Sequence, residues 1–305
     1  MPIFQCKQCH HRLPFTFRWE HKNDGTLQCP DCAFSLPLWQ GIPIYLPEQD
    51  MDRVQEFQRI YKDSVACDPW DYDQSAAEHL RYNFLKTYIQ KEFPQAKRVL
   101  DMGCSGGHLL EHLRDLPFEE YFAFDINLDA VAKAWNRASQ SKIGEKRVTF
   151  FVANATDLPI EDNSFDLVLC VDGIIGWELS AAQKEKVFGE IRRVLRPNGS
   201  AIFVDYISKT RGAHLYPQVF SQLQLQHKET AAIHDRLSYE FESAIKGLQK
   251  FSLFQKWKRN LNFAIALSKL APLFGKHGSK HLAYIASKVH VPMDKLALPF
   301  FLLSC

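Results

Sequence analysis

The sequence predicts an α/β fold, a parallel sheet wound with helices, on three observations. The apolar strand pattern Arg98-Val99-Leu100-Asp101 runs into the glycine-dense turn Gly103-Cys104-Ser105-Gly106-Gly107 and then the helical pattern His108–Leu113. Short apolar strands alternate with helical stretches from Arg98 to about residue 207. Acidic residues recur at the ends of those strands, where ligands bind in such sheets. Glycines at a strand–helix turn let backbone N–H groups approach a ligand closely, and the helix N-terminus adds partial positive charge.

Composition bounds the rest. The 305 residues suit one full-size domain plus a smaller module, and 46% apolar with 24% charged residues is a globular balance. No charged-then-apolar leader opens the chain, and no apolar run reaches the roughly 20 residues of a membrane span. The expectation is a cytoplasmic protein without a transmembrane segment. Its net charge of +2 hides an asymmetry: residues 1–207 carry 23 Lys/Arg against 30 Asp/Glu, and residues 208–305 carry 14 against 5. A basic C-terminal third can meet RNA, an anionic membrane surface or a phosphorylated substrate, or can be a solvated basic face.

Four of the eight cysteines form two close pairs, Cys6-Lys7-Gln8-Cys9 and Cys29-Pro30-Asp31-Cys32. Two such knuckles supply a tetrahedral shell of four thiolates, so residues 1–47 are expected to form a structural zinc ribbon. About forty residues build little core, and metal binding would supply the folding energy. His10 and His11 read as surface neighbours. Cys67, Cys104, Cys170 and Cys305 are scattered, which fits a reducing compartment. The apolar run Gly41-Ile42-Pro43-Ile44-Tyr45-Leu46-Pro47 is expected to dock the ribbon on the rest of the chain, its prolines arguing against an ordinary central strand. Ribbon and tail resemble the small zinc modules that precede the methyltransferase domains of large-subunit rRNA guanine methyltransferases.

Residues 48–97 read as a helical entry segment broken at Asp68-Pro69-Trp70. Ser75 and Glu78 have capping-box spacing and would start the second helix. Trp70 and Tyr82 either pack on the main domain or belong to a lid with Tyr72, His79 and Arg81. This stretch resembles the opening of nodulation-type chitooligosaccharide N-methyltransferases and related small-molecule methyltransferases.

The main domain is expected over residues 98–290. Strand one is Val99–Asp101, and strand two, Tyr121–Asp125, ends in an acid suited to ribose hydroxyls. To this point a nicotinamide dinucleotide and S-adenosylmethionine compete. Strand three, Val148–Val152, is followed by Asn154-Ala155-Thr156-Asp157-Leu158-Pro159. Asn163-Ser164-Phe165-Asp166-Leu167-Val168 opens strand four, and Arg193-Val194-Leu195-Arg196-Pro197-Asn198-Gly199 turns into strand five. Together these motifs resemble class I S-adenosylmethionine-dependent methyltransferases over roughly residues 98–207. The resemblance implies a Rossmann-like seven-stranded sheet with helices on both faces.

Carried over by position, Asp101, Gly103, Ser105 and Gly107 would cradle the methionine moiety, with Ser105 in place of the usual middle glycine. Asp125 would hold the ribose and Ile126 would pack on the adenine. Asp157 would accept from the adenine amino group, with Leu158 lending its N–H. Val171, beside Cys170, would floor the site near the sulfonium. Asp172 is the first candidate for a base or an acceptor-orienting group, or it caps the following helix. His79 and Asp205 come after it.

Leu223–Lys228 and Leu282–Lys288 read as the last two strands, antiparallel in the resembled family. A helical insert at about 230–280 lies between them, with Phe241, Ile245, Leu248, Phe251, Phe254, Trp257 and Leu261 along one flank. Such a flank packs into a core, covers the acceptor or touches a membrane surface. Residues 291–305 form an apolar tail. The leading expectation is methyl transfer to an O or N of a small molecule such as a sugar, a lipid-like compound or a secondary metabolite. An rRNA or tRNA base methyltransferase and a catalytically silent binding module are the alternatives.

Overall fold

The computed structural model describes residues 4–13, 24–46, 55, 59, 76–140, 147–172, 179–206, 220, 225–233, 235–245, 261–270, 273 and 281–288. Trp70, Tyr72, Ser75, most of the flank from Leu248 to Trp257 and the C-terminal tail lie outside these residues. Ten strands are present among them: β1 Gly25–Gln28, β2 Ser35–Trp39, β3 Ile42–Tyr45, β4 Arg98–Met102, β5 Glu120–Asp125, β6 Arg147–Ala153, β7 Phe165–Val171, β8 Leu195–Tyr206, β9 Leu225–Ile233 and β10 His281–Lys288. The helices are α1 Ala76–Glu92, α2 His108–Leu113, α3 Leu128–Gln140, α4 Ala181–Val194, α5 Arg236–Ile245 and α6 Leu261–Leu270.

Seven strands run β6-β5-β4-β7-β8-β10-β9. The first five are mutually parallel, and β10 is antiparallel to both β8 and β9. The central strands are apolar on both faces because both are covered, as expected of a parallel sheet. Leu100, Met102, Phe122, Phe124 and Phe203 face α4 through Val187, Phe188 and Ile191, together with Phe4, Leu13 and Leu36 of the N-terminal module. Val99, Tyr121, Ala123, Phe150 and Leu169 face the opposite layer: Leu85 and Ile89 of α1, Leu110 and Leu113 of α2, and Val131 and Trp135 of α3.

The capping box expected of Ser75 and Glu78 involves a residue outside the described ones; the Glu78 carboxylate pairs with Arg81, one helical turn on. One local expectation changes. The Pro197–Gly199 turn is predicted to separate a helix from strand five. In fact β8 begins at Leu195, paired with Phe165, and the next pair is Leu167 with Ser200, so Arg196–Gly199 bulges out of a continuous strand. A Cβ on Gly199 would stand 2.9 Å from the Arg196 carbonyl and 3.0 Å from that of Phe165, which restricts the return to glycine.

β3 departs from expectation in a useful way. It lies inside the ten-stranded sheet, antiparallel to β2 and parallel to β6, despite Pro43. The two ladders divide its length. Ile42 and Pro43 pair with β2, and Ile44 and Tyr45 pair with Val152 and Ala153, so the missing proline N–H interrupts nothing on the β6 side. The run expected to dock the module therefore does so as a strand.

Candidate active site

The glycine turn is shaped by the backbone. Gly103 and Cys104 both donate N–H to the Phe124 carbonyl at 2.9 Å, tying the turn to β5. Gly103, Ser105 and Gly107 have φ of 75°, 45° and 78°. A Cβ on Gly107 would lie 2.9 Å from the Ala134 Cβ, so α3 approaches the turn as closely as glycine permits. Ser105, at the position the resemblance gives to glycine, adopts the left-handed conformation, and its N–H donates to Asp125 Oδ2 at 3.1 Å.

Asp125 thus organises the turn as well as ending β5. Its other oxygen accepts from Asn127 N–H at 3.0 Å, and each oxygen keeps lone-pair capacity for a hydroxyl. Burial raises its carboxyl above the usual range, against the lowering effect of those N–H bonds. Asp101 lies wholly inside, with the Tyr121 hydroxyl 2.8 Å from Oδ2. Burial pushes its carboxyl up to about 7, the Tyr121 hydrogen bond pulling the other way. Asn127, next to Ile126, caps α3 through Oδ1, and its buried Nδ2 has no hydrogen-bond partner among the described residues. A buried donor without a partner is one that a ligand can satisfy. Positive-φ backbone, carboxylates at strand ends and this amide suit a polar, cationic nucleoside.

One site expectation at the adenine end changes. Leu158 does not offer its N–H to a ligand, because that group donates to Glu190 Oε2 at 2.7 Å. Asp157 is held from the other side: Lys7 pairs with Oδ1 and the Tyr45 hydroxyl donates to Oδ2 at 2.7 Å. Asp157 therefore joins the N-terminal module to the loop, and each of its oxygens, like those of Asp125, keeps lone-pair capacity for a further donor. Arg193 reinforces the same loop, donating to the carbonyls of Leu158 and Ile160 and pairing with Glu190. Asn154 is a candidate that the motif alone does not mark. It is the first residue beyond β6 and is buried, with Oδ1 taking the Thr156 N–H at 3.1 Å. Its place directly after a strand, as with Asp172 after β7, is the available signal.

On the acceptor side, Asp172 follows β7 with φ 44°, an unusual conformation for a non-glycine residue, and its N–H donates to the Val204 carbonyl at 2.8 Å. Val171 pairs with Val204, so Asp172, just past β7, stands beside Asp205, which is buried within the last residues of β8 rather than after it. Arg81, buried on α1, pairs with both Asp172 and Glu78 and lies 5.6 Å from the Tyr82 ring centre. His79 Nδ1 is 2.7 Å from His112 Nε2, and His112 Nδ1 is 3.0 Å from the His108 carbonyl. The carbonyl only accepts, so neutral His112 carries its proton on Nδ1 and Nε2 accepts from His79. Burial lowers the His112 pKa. Asp172 and His79 thus both stand at the N-terminal end of α1, one charge-paired and one bonded to a second imidazole.

The four cysteines of the N-terminal module converge. Their sulfurs lie within 4.8 Å of one another, with Cys6–Cys32 at 3.4 Å and Cys9–Cys29 at 3.5 Å. These gaps are far beyond a disulfide bond of about 2.05 Å. They approach the roughly 3.8 Å edge of a tetrahedron with zinc–sulfur bonds of about 2.3 Å. The N–H groups of Gln8 and Cys9 point to Cys6 Sγ at 3.4 and 3.5 Å, the knuckle arrangement expected for a thiolate. The donor set fits one zinc ion.

Strand order, glycine turn and strand-end acids give the central part of the chain the fold of the class I S-adenosylmethionine-dependent methyltransferases that its motifs resemble. Residues 99–199 match the family described as a methyltransferase domain. The chain is 29% identical over 143 residues to a sterol 24-C-methyltransferase of Schizosaccharomyces pombe, covering 47% of this chain and 34% of that protein. It is 33% identical over 109 residues to an uncharacterized methyltransferase of Synechocystis, covering 36% and 47%. A dimethylglycine N-methyltransferase of Parasynechococcus marenigrum is 32% identical over 113 residues, covering 37% and 38%. The matched stretch thus spans about half or less of each relative. Among solved structures, the (4+2)-cyclase SpnF has the same fold, with a TM-score of 0.51 and 17% identity over 68% of this chain and 82% of that one. No described helix is long and apolar enough to cross a membrane.

Proposed function

We propose that the protein transfers the methyl group of S-adenosylmethionine to an O or N atom of a small-molecule acceptor. The observation that carries this reading is the convergence of the 103–107 turn, Asp101, Asp125 and Asp172 at the carboxyl ends of β4, β5 and β7. S-adenosylmethionine brings both the methyl group and its leaving group, so the protein's task is alignment and exclusion of water. Asp101 and the turn would hold the methionine end, Asp125 the ribose, and Ile126 with Asn127 and Asn154 the adenine. Val171 and Cys170 would wall the sulfonium.

Asp172, anchored by Arg81, is assigned to orienting the acceptor, because a carboxylate held in an ion pair is a poor proton acceptor. His79 is the better group to take a proton if the acceptor must lose one. The sugar, lipid-like and secondary-metabolite classes all remain within this proposal. The basic C-terminal third, on which an RNA substrate would rest, lies mainly outside the described residues. The test is calorimetric titration with S-adenosylhomocysteine, followed by methyl transfer from labelled S-adenosylmethionine to panels of amines and hydroxyl compounds. Binding without transfer to any panel or to RNA would favour the silent module, and absence of binding would overturn the cofactor assignment.

A further inference from the structure

We propose that the four-cysteine module is coupled energetically to the S-adenosylmethionine site through Lys7, so that metal occupancy sets cofactor affinity and the cofactor in turn tightens metal binding. The inference rests on the cofactor reading above and on the fit of the four thiolates to one zinc ion.

Lys7 lies between two of the metal-binding thiols, Cys6 and Cys9, within the first knuckle. Its ammonium pairs with Asp157 and donates to the Leu158 carbonyl at 3.2 Å. The same segment continues the contact: Gln5 N–H donates to the Pro159 carbonyl at 3.0 Å, and Phe4 bridges to Ile160. Phe4 also packs edge-on against Phe151 of β6, with ring centres 5.3 Å apart. From the other end of the module Tyr45 holds the second oxygen of Asp157. The loop 154–160, which runs from the end of β6 along the adenine end of the site, is therefore braced by the module at every residue from Asp157 to Ile160.

The brace depends on the knuckle. Four thiolates held within 4.8 Å of one another repel unless an ion neutralises them, and small modules of this kind take their folding energy from the metal. Without the ion, Lys7 has no fixed point from which to hold Asp157 and Leu158, and the loop carrying Asn154 loses its outer support. Lys7 is only about a quarter exposed, and the rigid knuckle that presents its ammonium to Asp157 and Leu158 makes this contact the route of the coupling. Linkage then requires reciprocity: whatever factor the metal contributes to cofactor affinity, the cofactor contributes to metal affinity.

The test uses the full zinc-loaded chain. S-adenosylhomocysteine affinity is measured by calorimetry with and without zinc, and zinc affinity by competition with a chromophoric chelator with and without saturating S-adenosylhomocysteine. The expected change is about fivefold or more in each, the lower end of ordinary couplings. Lys7→Ala should still bind one zinc yet bind S-adenosylhomocysteine about fivefold more weakly, and Lys7→Arg should restore much of the loss. Should chelation unfold the whole chain, the zinc-loaded Lys7→Ala protein decides alone. Wild-type affinity in that variant, or zinc affinity indifferent to S-adenosylhomocysteine, overturns the coupling. Zinc-loaded wild type that binds no S-adenosylhomocysteine overturns the cofactor reading and the coupling with it.

Discussion

The guanidinium of Arg81, on the first turn and a half of α1, is buried against the carboxylate of Asp172 at the end of β7, joining the entry helix to the centre of the sheet. Glu78 completes the cluster on the other side. Removing Arg81 leaves two half-buried carboxylates facing each other without their cation. Arg81→Ala is expected to destabilise the fold by about 3–5 kcal/mol, the usual result of breaking a buried pair from one side. Urea unfolding of both proteins measures it.

Asp172→Asn keeps the shape and tolerates the left-handed conformation, which asparagine adopts readily. S-adenosylhomocysteine affinity should stay within about twofold, while turnover falls by about a hundredfold if the carboxylate orients the acceptor. Turnover equal to wild type would remove Asp172 from the site.

Asp101 should make cofactor binding depend on pH. With its carboxyl raised to about 7 by burial, it is largely protonated at pH 6 and largely ionised at pH 8. A cationic cofactor favours the ionised form, so binding below pH 7 should release a proton and affinity should rise through pH 7. Calorimetry in buffers of different ionisation enthalpy reads the proton directly, and Asp101→Asn should abolish it. The stability sign is the reverse for the free protein. The folded pKa lies above the unfolded one, so the group's contribution is full below about pH 4 and is lost as pH rises through 7.

Gly107→Ala forces a Cβ to 2.9 Å from Ala134 and strains a positive φ. A loss of about 1–3 kcal/mol is expected in urea unfolding. S-adenosylhomocysteine affinity should fall in parallel, since α3 and the turn must part.

Cys6→Ser should abolish zinc binding, against one ion per wild-type chain by atomic emission. The module should then become sensitive to protease, because its buried set is small and four-thiolate modules depend on the ion.

Much of this architecture is legible from local pattern. Runs such as Tyr121–Asp125 and Val148–Val152 are apolar at consecutive positions because both faces of their strands are covered, and both point their carboxyl ends to the candidate site. The hidden part depends on meetings between distant segments. Nothing near Asp157 indicates that Lys7 and Tyr45 will take its oxygens, and nothing near Leu158 points to Glu190. The acid draws attention by its charge, whereas Asn154, nearer the strand end, looks like a turn residue. Pro43 misleads for a related reason, since the cost of a missing N–H depends on which neighbour that stretch of β3 meets.

The placement of β3 also bears on solubility. A seven-stranded sheet of this order would end at β6, and a bare parallel edge rich in Phe150, Phe151 and Val152 is a template for other extended chains. Ile44 and Tyr45 occupy that edge at Val152 and Ala153. The N-terminal module thus covers the carboxyl end of that edge. Its loss would free hydrogen-bonding groups beside one of the most apolar strands in the protein, and a chain shortened to the catalytic core should aggregate before it unfolds.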